Sequence, residues 1–422
     1  MARREIQVDE RLSIIQTIPL SFQHLFAMFG ASVLVPMIVG ISPALQLLFN
    51  GIGTLLYIVI TRGKIPAFLG PSAAFIAGIA AITAIEGQAA AMSGCIVIGI
   101  VFIAAGIIVD KVGMGWIDFI LPPAAMGSVV AVIGLSLARF AAGLAGLVPG
   151  SVAPEMAGKT ILVSVFTLTV AIVVSVVFRG FMRVVPILIA VVAGYLFSMT
   201  QGMVDTSSIT AAPWFQVPTF VTPKFSFRAI MVIAPAALVV LAEHVGDLTV
   251  TEKIVGRSLI RKDKGLSRSY IGNGVGTILS SAFGGMPVTT YGENVGVMAL
   301  TKVYSVWVIG GAAIFSIVLS FSGKVSAIII AMPTAVMGGV SILLFGMIAA
   351  SGLRMLIESK VDYGNTRNLI YTAVILILGV GEAKIAIGPV ELEGMGLATV
   401  AAIVLSLFFL LIDKTGLSNE NE

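Results

Sequence analysis

Charge is scarce in this sequence, and so is cysteine. Only 11% of the 422 residues are charged, whereas an ordinary soluble domain carries roughly a quarter. Hydrophobic residues make up 58% of the chain, and its mean hydropathy is +1.08. Because no soluble fold can bury that much apolar surface, lipid must be the solvent for most of the chain.

The shortage of metal-binding side chains excludes further classes of protein. The single cysteine, Cys95, lies inside an apolar run, which excludes a disulfide framework and a thiolate metal site. The two histidines show no H-x-x-H or E-x-x-H spacing. We therefore expect neither a metal nor a cofactor. Residues 1–16 are too charged for a secretory signal and are interpreted as a cytoplasmic arm.

The apolar runs predict an all-α membrane protein. Polar residues, glycine and proline divide the sequence into fourteen candidate spans, of which the third and tenth are the weakest. With both termini in the cytoplasm, the positive-inside rule is satisfied, and a miscount by one span would destroy this asymmetry. Only six of the 25 Lys and Arg residues then lie outside: Arg139, Lys159, Lys224, Arg228, Lys324 and Lys384.

A short internal repeat indicates that the two halves of the chain are related. LPPAAMGSV at 121–129 and MPTAVMGGV at 332–340 share P-x-A-x-M-G-x-V and fall in spans five and twelve. Seven spans per half is an odd number, so the halves must be inverted relative to each other. Inverted repeats are typical of secondary transporters. A chance match in a Gly- and Ala-rich protein is the alternative.

The two weak spans are predicted to be discontinuous helices. Gly70-Pro71 interrupts span three, and Gly284, Gly285 and Pro287 interrupt span ten. Residues 288–291, VTTY, favour extended backbone. Such backbone is tolerated at membrane depth only where protein or a water-filled cavity covers it. Each break can therefore offer backbone groups and a helix N-terminus to a polar ligand; two short ordinary helices are the alternative.

Three acidic residues lie well inside apolar spans. Glu243 and Asp247 are four residues apart and share one face of span eight, and Glu293 follows the break in span ten. An ionisable group at the bilayer centre costs about 2.5–3.5 kcal/mol even on the most lenient scale. These residues are therefore predicted to form a functional site, with a buried network that holds helices together as the alternative. Two nearby carboxylates that are both desolvated resist ionising together, so one can carry a proton.

Four segments of the sequence show a family resemblance. SFQHLFAMFGASVLVP, AEHVGDLTVT, TTYGENVGVMALTKVYS and ASGLRMLIESKVDY resemble the bacterial uracil permeases of the nucleobase–ascorbate transporter family. The similarity runs over essentially the whole chain. The G-E-N sequence that ends at Asn294 is typical of the pyrimidine branch, where purine members read Q-N-N.

The resemblance implies fourteen spans arranged as a substrate-binding core and a gate that also forms a homodimer. It implies these segments: a cytoplasmic arm 1–16, core 17–112 (spans 1–4), gate 113–200 (spans 5–7), an extracytoplasmic loop 201–227, core 228–323 (spans 8–11), gate 324–413 (spans 12–14) and a cytoplasmic tail 414–422.

The resemblance also implies roles for individual residues. By similarity, Glu243 and Glu293 would hydrogen-bond the base. Proton coupling at Asp247 is expected on other grounds, since this residue lies one turn from Glu243 and two desolvated carboxylates share a proton. Further residues would contact the base or support the site from behind. The position of His24 in span one, next to Gln23, predicts Gln23 as its partner. Those that line the site would be Ala31, Ala73, Tyr291 and Gly292, and those behind it would be Gln23, His24, Asn294 and Phe345.

Three positions depart from the uracil permeases. Those proteins carry a Phe where this chain has Ala73, a His where it has Asp247, and a Tyr where it has Phe345. Together the three changes enlarge the pocket and alter its proton chemistry. The expected function is inward proton-coupled uracil transport across the bacterial inner membrane. The alternatives are a purine symporter, an anion exchanger or channel of the same fold, and an intramembrane hydrolase.

Restoring the aromatic ring tests the first departure. We expect Ala73→Phe to tighten uracil binding about tenfold and to disfavour bulkier bases, because a stacked ring contributes roughly 0.5–1.5 kcal/mol beyond its buried area. Competition binding on the purified protein measures this. A variant that keeps its fold but loses uracil affinity would contradict it.

Overall fold

The computed structural model describes residues 5–113, 115–120, 122–381, 383–387 and 390–415. The first four residues of the predicted arm and residues 416–422 of the predicted tail lie outside this description. The helices are α1 Ile14–Ile38, α2 Pro43–Ile60, α3 Ile76–Glu86, α4 Gln88–Val112, α5 Gly115–Ile120, α6 Pro123–Ser136, α7 Ala138–Leu144, α8 Pro154–Val177, α9 Pro186–Thr200, α10 Ser207–Ala211, α11 Phe227–Ile233, α12 Ala236–Val255, α13 Gly265–Ala282, α14 Gly292–Thr301, α15 Val306–Ser320, α16 Gly323–Ile330, α17 Thr334–Glu358, α18 Thr366–Val380 and α19 Gly394–Thr415. The strands are β1 Leu69–Pro71, β2 Val288–Thr290, β3 Lys384–Ile387 and β4 Val390–Glu393.

The expected mostly helical membrane architecture is confirmed. In the described part of the chain, eight helical segments are long and apolar enough to cross a membrane, judged by length and composition. Four shorter apolar helical segments accompany them: Ala73–Glu86, Pro186–Thr200, Val306–Ser320 and Thr366–Val380. Helix α13 is less apolar because its Asn, Ser and Thr side chains bond to the backbone beside it, as described below.

Several predicted spans are not single straight helices. Span five is divided at Leu137 into α6 and α7, and span eight is divided at Pro235 into α11 and α12. A proline inside a helix removes one backbone hydrogen bond and clashes with the preceding turn. The β3–β4 hairpin before α19 was not predicted, although residues 390–393, VELE, alternate apolar and polar residues as strands do.

The helices pack in two groups. In one group α4 packs along α13, α2 packs against both α13 and α15, and α1 packs against α15. In the other group α17 packs against α6 and α8, α18 packs against α6 and α19, and α8 packs against α9. The two groups meet around the breaks in spans three and ten.

Glycines allow the closest helix crossings in both groups. A Cβ atom on Gly274 of α13 would lie 2.5 Å from the carbonyl oxygen of Gly99 on α4. A Cβ atom on Gly134 of α6 would lie 2.3 Å from the carbonyl oxygen of Phe345 on α17. Real side chains do not approach so closely, so these helix backbones are in direct contact only because glycine is present.

The N-terminal arm is docked rather than free. Ile6 pairs with Val303, and its backbone N–H donates to the carbonyl oxygen of Lys302 at 2.9 Å. Arg257 forms an ion pair with Asp9 at 2.9 Å, and this hydrogen bond lowers the pKa of the Asp9 carboxyl. The arm therefore pairs in parallel with the segment that follows α14.

We expect Gly134→Ala to lower the apparent unfolding temperature, because overpacking of a close crossing costs about 1–3 kcal/mol. Thermal unfolding of the purified protein in mild detergent measures this. The matched control is Gly346→Ala on α17, where a Cβ atom would meet nothing within 4 Å. Equal unfolding temperatures for the two variants would contradict the packing argument.

Candidate functional site

A cavity of about 340 Å³ lies where the two broken spans meet. Its walls come from α1, the β1–α3 segment, α12, the β2–α14 segment, α6 and α17. The residues predicted to bind a substrate or a proton all line it: Ala31, Ala73, Glu243, Asp247, Tyr291, Gly292 and Glu293. The structure thus places them together, and their roles remain predictions.

The predicted extended breaks are confirmed as two short paired strands. Strand β1 pairs antiparallel with β2, and Leu69 lies opposite Thr290. The pairing continues beyond the strands, since the Tyr291 N–H donates to the Phe68 carbonyl at 3.1 Å and the Ser72 N–H donates to the Pro287 carbonyl at 3.0 Å. The two half-strands therefore satisfy each other's inner backbone groups.

Polar side chains of α2 and α13 satisfy the outer backbone groups. Thr54 Oγ1 accepts from the Leu69 N–H at 2.9 Å, and Thr277 Oγ1 accepts from the Val288 N–H at 3.2 Å. Asn273 Nδ2 donates to the Val288 carbonyl at 3.0 Å. Leu69 and Val288 are the first residues of β1 and β2, so the two threonines occupy equivalent positions.

These side chains belong to a second internal repeat, which the sequence analysis missed. Residues 50–54 read NGIGT on α2 and residues 273–277 read NGVGT on α13. Helices α2 and α13 cross here, and a Cβ atom on Gly276 would lie 3.4 Å from the Gly53 Cα. The signal was a polar residue at every fourth position of an apolar helix, which a search for charged residues overlooks.

Two helix N-termini open onto the cavity. A 3₁₀ turn, Ala73–Phe75, leads into α3, and Tyr291 is the N-cap of α14. Neither N-cap side chain bonds to the first turn of its helix, so first-turn N–H groups beside the cavity have no capping side chain. Glu293 lies in the first turn of α14, where the helix dipole favours a negative charge.

Two of the three carboxylates, Asp247 and Glu243, differ in their partners. Thr290 Oγ1 donates to Asp247 Oδ2 at 2.9 Å. No described residue donates a hydrogen bond to the side chain of Glu243, which interacts electrostatically with Glu293. Glu243 therefore has acceptor capacity available for a ligand, while one oxygen of Asp247 is already occupied.

Tyr291 joins the two breaks. Its hydroxyl donates to the Pro71 carbonyl at 3.0 Å, and its ring covers Gly70, where a Cβ atom would lie 2.4 Å from Cζ. Any side chain at Gly70 would displace this ring. Tyr291 thus fixes the separation between the 3₁₀ turn and the start of α14.

One expectation for the supporting residues needs correction. The partner of His24 is Asn294, whose Nδ2 lies 3.2 Å from His24 Nδ1, and not Gln23, whose Oε1 has no hydrogen-bond partner in the described part of the chain. Adjacent residues of a helix point about 100° apart, so Gln23 faces another direction. Phe345 was expected behind the site; it is buried and does not line the cavity, whereas its neighbour Leu344 does.

Most of the apolar wall and the strand threonines were not predicted from the sequence. Thr289 and Thr290 line the cavity from β2, and a largely apolar wall opposes the carboxylates. Side chains from α6 and α17 form that wall: Val130, Ile133, Leu344, Met347, Ile348 and Ser351. Uncharged residues on apolar helices carry no signal that separates a cavity wall from ordinary packing.

A second cavity of about 440 Å³ continues from the site. It shares four lining residues with the first cavity: Val130, Glu243, Asp247 and Ser351. It then passes Thr249, Lys253 and Arg354 at the ends of α12 and α17. In the described residues, no group of three or more His, Cys, Asp or Glu side chains could hold a metal ion.

Comparison with known proteins shows extensive similarity to permeases. The family model Xan_ur_permease, described as "Permease family", matches residues 15–388. A uracil permease of Paenibacillus larvae subsp. larvae is 56% identical over 422 residues and covers 100% of both chains. A uracil permease of Escherichia coli (strain K12) is 57% identical over 98% of this chain and 95% of its own. A putative pyrimidine permease of the same strain is 40% identical over 94% and 90%.

Solved structures of lower identity share the fold. The transmembrane domain of a cyanobacterium bicarbonate transporter gives a TM-score of 0.61 at 14% identity and covers 95% of this chain and 100% of its own. The murine solute carrier 26 family member A9 anion transporter gives 0.66 at 12% identity and covers 96% and 69%. At these identities the likeness concerns the fold alone.

Proposed function

The chain belongs to the permease family whose sequence model matches residues 15–388, and we propose that it is a proton-coupled symporter that carries a nucleobase, uracil above all, into a bacterial cell. As a permease it is a transporter and not an enzyme. The observation that carries the proposal is the convergence of Glu243 and Glu293 with two open helix N-termini on one cavity.

This convergence matches the chemistry of a base. Uracil is planar and neutral, and it alternates N–H donors with carbonyl acceptors around its ring. A carboxylate at Glu243 or Glu293 accepts from a ring N–H, while backbone N–H groups near Ala73 and Gly292 donate to ring carbonyls. Charge-assisted hydrogen bonds in a dry site are the strong kind.

The proposed fold has fourteen spans in two inverted repeats, and the helix packing supports it. The most extensive helix contacts have equivalents in the other half: α4 with α13 corresponds to α15 with α2, and α8 with α17 corresponds to α18 with α6. The NG-x-GT segments at 50–54 and 273–277 are equivalent in the same way.

Ion pairs support the proposed sidedness. Residues assigned to the cytoplasm pair with one another: Lys64 with Asp263, Lys264 with Asp110, Lys302 with Glu5, and Arg367 with Asp413. On the opposite side, Lys384 pairs with Glu393. We propose that both termini lie in the cytoplasm and that the bilayer is the bacterial inner membrane.

The proposed transport cycle is alternating access between a core, 17–112 and 228–323, and a gate, 113–200 and 324–413. The two helix groups support this division, since one contains α1, α2, α4, α13 and α15 and the other α6, α8, α9, α17, α18 and α19. The continuous cavity past Lys253 and Arg354 supports access from the cytoplasm in the present conformation. The homodimer through the gate remains a proposal that rests on the family resemblance.

A purine substrate is the second candidate, because Ala73 and Asp247 both line the cavity. A methyl group in place of a ring leaves room for a larger base. Uptake of radiolabelled uracil by a permease-deficient bacterial strain that expresses this chain distinguishes a uracil substrate from a purine substrate. We expect saturable uracil uptake that a protonophore abolishes and that excess xanthine inhibits weakly. Uptake of xanthine but not of uracil would establish the second candidate.

We expect Glu243→Ala and Glu293→Ala each to reduce saturable uptake at least about tenfold, because each loses a hydrogen bond to a charged group, about 1.5–3 kcal/mol. Uptake is normalised to the amount of protein in the membrane. Glu155→Ala is the matched control, since Glu155 is exposed at the start of α8. Wild-type uptake in both site variants would refute their role as base ligands.

The pH profile of uptake tests proton coupling at Asp247. We expect uptake to fall as pH rises, because fewer carriers then hold the transported proton. Asp247→Asn removes a negative charge one turn from Glu243, so Glu243 ionises more readily. The fall should therefore occur at lower pH in this variant, without full loss of base binding. With the exposed Asp205→Asn as the control, an unchanged profile would remove Asp247 from the coupling site.

A further inference from the structure

A line of buried polar side chains extends from Asp247 into the protein. Thr290 Oγ1 lies 2.9 Å from Asp247 Oδ2 and 3.3 Å from His244 Nδ1. His244 Nε2 lies 2.7 Å from Ser269 Oγ, which contacts the Tyr57 hydroxyl at 2.5 Å. Tyr57, His244 and Ser269 are 0% exposed and Thr290 is 5% exposed. The line therefore joins α12, β2, α13 and α2 without access for water.

Counting donors gives this line a direction. Each hydroxyl carries one hydrogen, and a neutral imidazole donates from one nitrogen and accepts at the other. Ser269 is the only hydrogen-bond partner of the Tyr57 hydroxyl in the described part of the chain. Since an unsatisfied buried donor is costly, Tyr57 must donate to Ser269.

The remaining directions follow from that first one. Ser269 accepts from Tyr57, so its own hydrogen goes to His244 Nε2, which must then be unprotonated. The hydrogen of His244 is therefore on Nδ1 and goes to Thr290 Oγ1. Thr290 in turn donates to Asp247 Oδ2. Every hydrogen in the line points towards Asp247.

The surroundings of His244 fit a neutral ring. The ring of Tyr270 lies 5.3 Å away between centroids, and that of Phe102 lies 6.2 Å away edge-on. An imidazolium would donate from both nitrogens and turn the Ser269 hydrogen towards Tyr57, whose own hydrogen would then lack an acceptor.

We propose that Thr290, His244, Ser269 and Tyr57 form a directional hydrogen-bond chain that positions Asp247 and holds His244 as the Nδ1–H tautomer. Because Thr290 occupies Oδ2 as a donor, a transported proton resides on Oδ1. This last step rests on the proposed function, whereas the tautomer does not. Asp247 lines both cavities, and the other charged groups that line them are Glu243 and Glu293 in the first and Glu243, Lys253, Arg354 and Glu358 in the second.

The tautomer is directly measurable, because the chain has only two histidines. The full-length protein in lipid nanodiscs is labelled with ¹⁵N-histidine, and the ring nitrogen signals are assigned with His24→Gln. We expect His244 to remain a single neutral Nδ1–H tautomer from about pH 5 to 8, the range in which a free histidine titrates. An Nε2–H tautomer or an imidazolium in this range would overturn the proposal.

Variants at both ends of the hydrogen-bond chain test the direction of its hydrogen bonds. Thr290→Val removes the acceptor for Nδ1–H, and Tyr57→Phe removes the donor that orients Ser269, so both should produce mixed tautomers. Thr290→Ser should retain the wild-type signal. Tyr195→Phe is the matched control, since the Tyr195 hydroxyl is buried without a hydrogen-bond partner in the described part of the chain. Wild-type signals in both Thr290→Val and Tyr57→Phe would overturn the proposal.

Uptake measurements test whether the hydrogen-bond chain contributes to transport. We expect Thr290→Val to lower uptake about tenfold, since it removes a hydrogen bond to a charged group, and to change the pH profile, with recovery in Thr290→Ser. If the wild type takes up no base while His244 is the Nδ1–H tautomer, the proposed function is refuted but the hydrogen-bond chain is not. If the wild type transports but Thr290→Val leaves its pH profile unchanged, the link to Asp247 fails alone.

Discussion

The structure depends on one constraint, which is that backbone groups exposed in two interrupted helices must be satisfied without water. Strands β1 and β2 pair with each other, and Thr54 and Thr277 bond to their outer edges. Leaving these groups unsatisfied at membrane depth would cost several kcal/mol each. The polar residues of α2 and α13, and the glycines at their crossing, follow from this requirement.

The same constraint creates the site. Because each strand is followed directly by a helix, two N-termini point towards the same cavity, and their open N–H groups provide the positive end of a recognition surface. Glu293 enters from one of these helices and Glu243 from α12. Donors and acceptors thus converge on a small volume, which is what a neutral ring with alternating polar groups requires.

Sequence reasoning predicted which residues line the cavity better than which residues support them. Carboxylates and Gly-Pro breaks are rare in apolar spans and therefore stand out in the sequence. The positions of Glu243, Asp247 and Glu293, and of both strands, could be predicted for that reason. The partner of His24 could not, because Asn294 is distant in sequence and approaches only through the fold. The NG-x-GT repeat was visible in the sequence, but its meaning required the crossing of α2 and α13.

The distribution of polarity around the cavity bears on how the proposed alternating access can work. All the charged groups that line it lie on α12 and the β2–α14 segment, whereas α6 and α17 contribute Val130, Ile133, Leu344, Met347, Ile348 and Ser351. Hydrogen bonds are directional and therefore resist sliding, whereas apolar contacts are not directional and permit it. A gate with an apolar wall can therefore move past the core without breaking the bonds that hold the carboxylates and strands in place. The polar machinery remains intact on one side, so the substrate site need not be rebuilt in each transport cycle.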